Sequence, residues 1–445
     1  MSHFLKNSKK CILICSKYAR ITSLNMHNKK IWDVAVIGGG PAGMMAAGRS
    51  AECGAKVILI EKNESLGKKL LITGGGRCNM TNYEPNTRKF LEKFKIHGKF
   101  LFSAFSQWGV KETLDFFHKR NLKTKIEAEG RVFPASDKAE SVFEILVAYM
   151  KEKHVKITLG NPVKTIIKKG TDIEMIELED GKKIYARSFI LATGGKSRPR
   201  TGSTGDGFIW LESLGHKVTP PDTSLVPIAI KDEWIKTLQG VVLPDVKITA
   251  FQNNVKQITK HGRILFTHFG ISGPTIINMS RDVGELLKYG DVVLSIDMSP
   301  SFGYGELDEK LQTTFKEGIN KKFKNAMSAL VPVSALQPIL VGLSKINPDT
   351  PCHSITREER INLMKLLKDI PMNVKGLLGT NRAIVTSGGV SLTEVDFKTM
   401  RSRLYNNLYF VGDILDIDRP SGGYSLQLCW TTGYVAGNSA YKKLH

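Results

Sequence analysis

A glycine-rich turn, GGGPAG at residues 38–43, has the spacing of a phosphate-binding loop. Gly38 allows a tight turn, and Gly40 lets a pyrophosphate group approach the backbone. Gly43 lets the next helix pack closely on the preceding strand. The N-terminus of that helix, which carries the positive end of the helix dipole, then faces the phosphates. The turn therefore predicts a site for the diphosphate of a nucleotide.

The elements that must position this turn are also present. An apolar run at 34–37 leads into it, Pro41 and Ala42 open a helix of small residues, and a second apolar run at 57–60 ends in Glu61. Strand, helix and strand in this order form a βαβ nucleotide-binding unit. A carboxylate in that place accepts hydrogen bonds from ribose hydroxyls and favours a free 2′-hydroxyl. The unit therefore predicts NAD or FAD rather than NADP.

A polar loop follows at 62–82, where a bound dinucleotide would continue. Its three consecutive glycines at 74–76 give a backbone that passes close to a flat ring. Basic and amide side chains in the loop supply donors for phosphate or ring oxygens. An ordinary flexible surface loop is the alternative interpretation. The candidate cofactor contacts in this loop are Lys62, Lys69, Gly75, Arg77, Cys78 and Asn79.

The length and composition indicate a large globular protein. The 445 residues allow two or three domains, and a hydrophobic content of 41% is ordinary for such a chain. No apolar run approaches the roughly eighteen residues that a bilayer-spanning helix needs. The six cysteines are scattered without metal-ligand spacing, so we expect reduced thiols and no metal site. These features predict a soluble, cytoplasmic enzyme with no membrane partner.

The formal net charge of +22 is unevenly distributed. Residues 1–30 contain seven lysines and arginines and no acid, which predicts a disordered N-terminal extension. A transit peptide, or a natural start at Met26, would also explain this segment. The basic excess of the remainder attracts polyanions such as RNA, and an unspecialised solvated surface is the alternative.

Residues 84–131 mix basic with aromatic side chains, a combination that proteins use to hold splayed bases and phosphates. The aromatic residues also fall at amphipathic-helix spacings, so we assign most of them to the core. The lysines remain candidates for RNA contacts, and charge reversal of Lys93, Lys95 and Lys99 would test them.

Periodicity predicts the elements of the remaining chain. We expect a helix from Ser136, a strand at 155–159, an antiparallel meander at 163–187 with turns at Lys169-Gly170 and Asp180-Gly181, hairpin strands at 246–267 turning at Asn253-Asn254 and His261-Gly262, a strand at 291–297, and mainly helices over 306–370. Strands followed by helices suggest a small barrel with a helical cap. The predicted domains are the extension 1–30, a nucleotide-binding domain formed by 31–205 and 375–445, an inserted β-rich domain at 206–305, and a helical cap at 306–374.

Eight motifs occur in one order and together resemble a known family. They are GGGPAG, LGKKLLITGGGRCN, FP at 133–134, ILATGGKS, TGSTGDG, LFTHFGISGP, TSGGVSL and GGYSLQLCWTTGYVAG. The chain resembles, over about residues 32–440, a bacterial family of FAD-dependent oxidoreductases described as aminoacetone-oxidase-like or bile-acid-reductase-like. The resemblance implies an α/β fold: a glutathione-reductase-like FAD-binding Rossmann domain with an inserted β-barrel and helical domain.

The resemblance also implies further cofactor contacts. Val163 would lie by the adenine, and Asp413 would hydrogen-bond the ribityl chain, although most of the family has Glu there. A helix over 426–437 would direct its N-terminus at the flavin. Arg198 and Arg419 depart from the family pattern near the expected mouth of the site. The residues implied at the glycine turn and at the closing loop beneath the flavin ring are Thr193, Gly194, Gly422, Gly423 and Tyr424.

The expected chemistry is hydride transfer from the flavin to an electron-poor C=C bond, with a nearby acid protonating the adjacent carbon. Cys78, Tyr424 and His268 are the candidate proton donors, and a core role is the alternative for His268. The chain has one GxGxxG motif, so either NAD(P)H would bind transiently as the reductant or a separate reductase would supply the electrons. Family members imply three substrates: uridine in ribosomal RNA, which the charge favours, a steroid-like enone, or an amino ketone. A non-catalytic, flavin-bearing RNA-binding factor is the alternative class, and the oligomeric state stays open.

Overall fold

The structure, a computed structural model, describes residues 30–224, 226–378 and 385–442. The predicted disordered extension at 1–30 lies almost entirely outside these residues. The strands are β1 Ile31–Ile37, β2 Val57–Ile60, β3 Thr81–Asn82, β4 Thr124–Glu127, β5 Arg131–Pro134, β6 Lys156–Thr158, β7 Val163–Lys169, β8 Asp172–Leu178, β9 Lys183–Leu191, β10 Val218–Ser224, β11 Ile228–Ile230, β12 Val242–Gln252, β13 Val255–Thr267, β14 Gly270–Ser272, β15 Val293–Asp297, β16 Ile370–Leu377, β17 Val385–Val390 and β18 Leu408–Phe410.

The helices alternate with these strands in the first part of the chain and cluster together in the second. They are α1 Pro41–Glu52, α2 Lys68–Leu71, α3 Thr87–Glu92, α4 Gly98–Gln107, α5 Val110–His118, α6 Ala139–Glu152, α7 Asp206–Ser213, α8 Trp234–Thr237, α9 Pro274–Leu287, α10 Tyr304–Glu317, α11 Phe323–Leu330, α12 Gln337–Ser344, α13 Arg357–Lys368 and α14 Tyr424–Lys442. Among the described residues, no helix combines the length and the apolar character that crossing a membrane requires.

The nucleotide-binding domain is built on a sheet of order β6-β2-β1-β9-β8-β7, with β18 also paired to β9. Strands β6, β2, β1, β9 and β18 run parallel, and β7 and β8 add the antiparallel meander. The strands β1 and β2 are apolar because both faces of a parallel sheet are covered by helices. The predicted meander turns at 169–170 and 180–181 lie between β7, β8 and β9, as expected.

Helices α1 and α14 pack against each other beneath this sheet. Their contact is close because glycines face the partner backbone: a Cβ on Gly433 would lie 2.6 Å from the carbonyl oxygen of Ala42, and one on Gly437 would lie 2.6 Å from that of Ala46. Trp430, fully buried, fills the core beside them. This packing joins the C-terminal segment to the first βαβ unit and brings the N-termini of both helices to one edge of the sheet.

The inserted region forms a closed barrel of order β11-β14-β13-β12-β15-β16, which is the predicted barrel. Its core is a separate cluster that also includes the apolar faces of α10 to α13. The turn predicted at His261-Gly262 is wrong. These residues lie inside β13, where the register against β12 shifts at a bulge, and the strands turn at Asn253-Asn254 instead. Gly262 can occupy its φ of 133° because it has no Cβ.

The chain enters and leaves the barrel through a two-stranded antiparallel ribbon, β10 with β17. His216, just before β10, contacts Glu394, just after β17, through a 2.8 Å hydrogen bond from Nδ1 to Oε2. Its Nε2 lies 3.1 Å from the hydroxyl of Ser402. This buried network fixes the base of the ribbon to the nucleotide-binding domain. Helix α7, which we predicted to begin the insertion, contributes Phe208 and Leu211 to the nucleotide-binding core instead.

Candidate active site

The glycine-rich turn joins β1 to α1, and each of its glycines has a distinct reason to be glycine. A Cβ on Gly38 would lie 2.4 Å from the carbonyl oxygen of Ala192, and one on Gly43 would lie 1.9 Å from that of Gly38. These two positions are therefore required by packing within the fold. A Cβ on Gly40 would meet no protein atom within 4 Å, because Gly40 faces a cavity. The backbone is open at the place where a phosphate was predicted to approach.

Glu61 braces this turn from the end of β2. Its Oε2 accepts a 2.7 Å hydrogen bond from the amide of Gly39, and its Oε1 accepts from the amide and the side chain of Asn63 at 2.8 and 2.7 Å. The buried carboxylate also lines the cavity. Each carboxylate oxygen has two lone pairs, so Glu61 retains acceptor capacity for a ribose hydroxyl while it holds the turn.

The cavity has a volume of about 660 Å³ and runs from the turn at Gly38 to the start of α14. The nucleotide-binding domain forms one wall, and the barrel domain forms the facing wall. Predicted cofactor contacts that line the cavity are Gly38, Gly40, Pro41, Ala42, Glu61, Lys62, Lys69, Gly75, Arg77, Asn79, Val163, Thr193, Gly194, Asp413, Gly422 and Gly423. Gly43 lies behind the turn, where it packs α1 on β1.

Two observations test whether an FAD fits this cavity. First, the backbone at Gly40 is open to the cavity, because a Cβ there would meet no protein atom within 4 Å, so a phosphate can approach it. Second, the N-termini of α1 and α14 both border the cavity, and an extended ligand with a diphosphate in the middle and a flat ring at one end meets both. The residues present therefore suit an extended dinucleotide.

Three charged side chains meet where the cavity passes β18. Lys69 places its Nζ 3.9 Å from the carboxylate of Asp413, and Arg419 pairs with the other oxygen of that carboxylate. Lys69 also donates a 2.9 Å hydrogen bond to the hydroxyl of Ser197. Burial lowers the pKa of the Lys69 ammonium, and Asp413 opposes this shift. Arg198 also lines the cavity and is exposed at its edge.

Two of the predicted phosphate donors are already engaged with acids. Lys62 forms a 2.7 Å ion pair with Asp206. Arg77 donates to Glu127 and, at 2.7 Å, to Asp137, and its guanidinium lies over the ring of Phe133. These bonds lower the pKa of Glu127, with Arg77 as the largest cause. Arg77 thus fixes one edge of the cavity.

Asn79 joins two parts of the site. With its amide oriented to satisfy its neighbours, its nitrogen donates to the carbonyl oxygens of Thr81 and Val132, and its oxygen accepts a 3.1 Å hydrogen bond from the amide of Gly423. A Cβ on Gly423 would lie 2.3 Å from the carbonyl of Thr81, so only glycine fits there. The polar loop and the closing loop therefore form one wall.

All three predicted proton donors require correction, because none of them lines this cavity. Cys78 is fully buried, and burial raises the pKa of its thiol to about 12. Tyr424 packs between Phe90 and Phe94, with ring centroids 4.8 and 5.9 Å away, and burial raises its pKa. His268 is exposed in the turn between β13 and β14, so neither the donor role nor the alternative core role describes it.

Sequence reasoning missed two groups of residues that line the cavity. The first is the turn before β5, where Glu129 has a φ of 61° and Arg131 donates from Nε to the carbonyl of Ala128 at 3.0 Å. A glutamate does not indicate a positive φ, so the sequence does not predict this turn. The second is the barrel wall, which reaches the cavity only through the closure of the barrel, and it consists of Leu265, Ser272, Gly273, Pro274, Ile277 and Asn278.

The fold and the cavity together define an FAD-dependent oxidoreductase. Residues 32–439 match the family described as the HI0933-like protein Rossmann domain, and the chain belongs to that family. The match spans the whole nucleotide-binding domain and the barrel, which confirms the predicted family and fold class. Among solved structures, the open conformation of a flavocytochrome c3 fumarate reductase aligns with this chain at a TM-score of 0.52 and 16% sequence identity. The alignment covers 96% of this chain and 81% of the chain of that reductase. This likeness concerns the fold alone.

Three curated relatives match the chain along nearly their full lengths. The 3-dehydro-bile acid delta(4,6)-reductase of Clostridium scindens is 31% identical over 416 residues, 92% of this chain and 99% of that protein. The ribosomal RNA dihydrouridine synthase of Escherichia coli is 29% identical over 407 residues, 91% of this chain and 96% of that protein. The enzyme of the same name from Haemophilus influenzae is 28% identical over 414 residues.

Proposed function

We propose that this FAD-dependent oxidoreductase reduces the 5,6 C=C bond of a uridine in ribosomal RNA, forming dihydrouridine. One observation carries the choice of RNA: a band of exposed cations on the α3–α4 segment. This basic band consists of Arg88, Lys89, Lys93, Lys95 and Lys99. None of the five has an acidic partner among the described residues, so all are available to phosphates. Two relatives with the name ribosomal RNA dihydrouridine synthase support the same choice.

The position of the basic band favours this use. His97, between Lys95 and Lys99, accepts a 3.0 Å hydrogen bond at Nδ1 from the amide of Asp418. Asp418 forms an ion pair with Arg281 on α9 of the barrel domain. The band therefore borders the junction of the two domains whose walls form the cavity. An RNA strand bound there would keep one base close to the cavity.

The side chains of the chain prepare such a base for reaction. When bound and reduced by NAD(P)H, the flavin would supply a hydride to one carbon of an electron-poor C=C bond. The adjacent carbon would take a proton that enters from the open side of the cavity. Gly40 and the start of α1 would hold its diphosphate, and Glu61 its ribose. Arg131 lines the cavity with its Nε held by Ala128, so its remaining N–H groups would orient a uracil carbonyl. The barrel wall would exclude water from the base.

We also propose NAD(P)H as the reductant. The chain has one GxGxxG motif, and that motif forms the turn of the FAD cavity. A nicotinamide would therefore bind transiently from the open side of the cavity, before the substrate. The enzyme would act in the cytoplasm, where both NAD(P)H and ribosomal RNA occur.

Reduction of a steroid-like enone is the second candidate function. The barrel wall is apolar at Leu265, Pro274 and Ile277, and such a surface suits a hydrophobic small molecule. The relative named as a bile-acid reductase supports this candidate. Oxidation of an amino ketone has no such surface in its favour. A non-catalytic flavin-bearing RNA-binding factor would hold FAD in the cavity without turnover, and it has no observation specifically in its favour.

The test is a dihydrouridine map of ribosomal RNA from cells with and without the gene. We expect one reduced base to disappear on deletion and to return with the intact protein. It should not return with Lys93→Glu, Lys95→Glu and Lys99→Glu combined. The matched control combines Lys151→Glu, Lys316→Glu and Lys321→Glu, three exposed lysines elsewhere, and should restore the base.

Binding and turnover distinguish the alternatives. RNA binding should weaken with salt, with a log–log slope of about −0.7 for each single-strand phosphate contacted. An unchanged map, together with salt-insensitive turnover of a small enone, would replace the RNA proposal with the second candidate. RNA binding without any NAD(P)H consumption would indicate the non-catalytic factor.

A further inference from the structure

Arg419 is an arginine whose side chain has no exposed surface. Its guanidinium donates to three groups: the carboxylate of Asp413, the hydroxyl of Ser425 at 3.0 Å, and the carbonyl oxygen of Ile417 at 2.7 Å. A buried guanidinium is stable only when it is paired and its donors are satisfied, so these bonds define its position closely. Arg419 therefore connects the end of β18, the closing loop and the first turn of α14.

Two of its partners form part of the cavity wall. Asp413 and Ser425 both line the cavity, whereas Arg419 lies behind them. Asp413 has Lys69 on its other side, with 3.9 Å between Nζ and Oδ2. One carboxylate is thus flanked by two cations, and the cluster has a net charge of +1 when both are protonated. The N-terminus of α14, beside Ser425, adds its positive dipole end at the same place.

We propose that Arg419 is a positioning residue of the flavin site, and that the cluster Lys69–Asp413–Arg419 stabilises the negative charge that a flavin acquires on reduction. Arg419 acts through Asp413 and Ser425 rather than by touching the cofactor. It fixes the rotamer of Asp413, holds the start of α14 against the cavity, and supplies the second cation. This inference depends on FAD as the cofactor, and it holds for any substrate.

The electrostatic part of the proposal follows from the low exposure of the cluster. Asp413 exposes 12% of its side chain and Lys69 exposes 21%, so water screens their charges weakly. Removal of one cation changes the charge of the cluster from +1 to zero, and removal of the carboxylate changes it to +2. Substitutions on the two sides of the cluster must therefore shift the flavin in opposite directions. A purely structural role predicts no such change of sign.

The experiment uses the FAD-bound protein and three variants: Arg419→Met, which keeps the length without the charge, Arg419→Lys, which keeps the charge, and Asp413→Asn. Arg49→Met is the matched control, since Arg49 is half-buried between α1 and α14 and does not line the cavity. The readouts are FAD affinity by titration of the apoprotein, the reduction potential of the bound flavin, and the affinity of the oxidised flavin for sulfite, whose addition also places negative charge on the ring.

We expect Arg419→Met to weaken FAD binding and sulfite binding about tenfold each and to lower the two-electron potential by about 30 mV, the equivalent of a tenfold change. Arg419→Lys should recover much of the sulfite affinity and of the potential. Asp413→Asn should raise the potential and the sulfite affinity while it weakens FAD binding. The Arg49→Met control should match the wild type in all three readouts.

Two results would overturn the proposal. In the first, Arg419→Met and Asp413→Asn both weaken FAD binding but leave the potential and the sulfite affinity unchanged. The cluster would then have a structural role only. Shifts of the same sign in those two variants would refute the charge balance. If Arg419→Met fails to fold, Lys69→Met removes the other cation of the cluster and, with Asp413→Asn, still provides the comparison of sign. No readout involves RNA, so a negative outcome here is distinct from a failure of the proposed function.

Discussion

The two walls of the cavity are built in different ways. On the nucleotide-binding side, main-chain contacts set the wall: Gly38 and Gly43 lie against carbonyl oxygens at distances that exclude any side chain, and Glu61 holds the turn through the amide of Gly39. On the barrel side, the wall consists of the side chains of Leu265, Pro274 and Ile277. The barrel wall meets the nucleotide-binding domain through few polar contacts, such as the bond between Asn278 and Ser421.

This difference indicates which wall tolerates substitution and which does not. Substitutions in a backbone-built wall disturb the fold, so the nucleotide-binding wall is constrained to one ligand. Substitutions in a side-chain wall alter shape and polarity at modest cost, because loops and exposed ends of elements tolerate change. We therefore expect cofactor binding to depend on the first wall, and substrate choice to depend on the second wall and on the surface beside it.

The largest expected effect separates two glycines of the same turn. Gly43→Ala places a methyl group 1.9 Å from the carbonyl of Gly38, and overpacking of this kind costs about 1–3 kcal/mol or more. We expect it to yield little folded protein. A Cβ on Gly40 meets no protein atom within 4 Å, so we expect Gly40→Leu to fold and to be colourless because its side chain occupies the phosphate position. Circular dichroism and flavin absorbance provide the measurement. A yellow Gly40→Leu protein would contradict the assignment of Gly40 to the cavity.

A smaller effect is expected on the barrel side. Asn278 accepts hydrogen bonds from the amide and the hydroxyl of Ser421 at 2.9 and 3.0 Å. Asn278→Ala removes both hydrogen bonds, each of which contributes about 0.5–1.5 kcal/mol. The barrel wall is then held less firmly against the nucleotide-binding domain. We expect normal flavin content and a higher KM for the substrate. Asn325→Ala, an exposed position in the same domain, is the control. Loss of flavin from Asn278→Ala would remove the distinction between the two walls.

The smallest expected effect concerns the ribbon of β10 and β17 that joins the two domains. Burial lowers the pKa of His216 below its ordinary value of 6.5, although Glu394 acts in the opposite direction. The unfolded histidine binds a proton near pH 6.5, whereas the folded one binds it only at lower pH. The free energy of unfolding therefore falls as the pH drops through 6.5. We expect this loss to be smaller in His216→Gln than in the wild type, measured by urea unfolding between pH 5 and 8.

The exposed His268→Gln is the matched control for that measurement, because it removes a histidine from the barrel surface. It should retain the pH dependence of the wild type. If His216→Gln and the wild type lose stability equally on acidification, another group causes the loss. The buried network would then be a pH-independent structural feature.

The parts of the structure that the sequence predicted depend on neighbours along the chain. The βαβ unit, the turns of the meander and the turn at 253–254 all follow from short-range patterns, and the barrel follows from the change of periodicity. The turn at 261–262 was wrong because a glycine inside a strand marks a bulge as well as a turn. Short-range patterns do not separate the two.

The site predictions failed where long-range contacts decide. Arg77 looks like a phosphate donor, but Glu127 and Asp137, 50 and 60 residues away, engage it. Cys78 and Tyr424 lie in motifs whose neighbouring residues line the cavity, whereas their own side chains enter the core. The barrel wall could not be predicted, since it exists only once β13 and α9 meet the opposite domain.

The ribbon of β10 and β17 also has a consequence for the history of the chain. The polypeptide leaves the nucleotide-binding domain on one strand and returns on its neighbour, so the two ends of the insertion lie side by side. A segment with adjacent ends can be replaced, lengthened or transplanted without a change in the path of the host chain. The barrel and its helices are in this sense a cassette. Recombination at two neighbouring positions would give the same nucleotide-binding domain a new surface for its substrate.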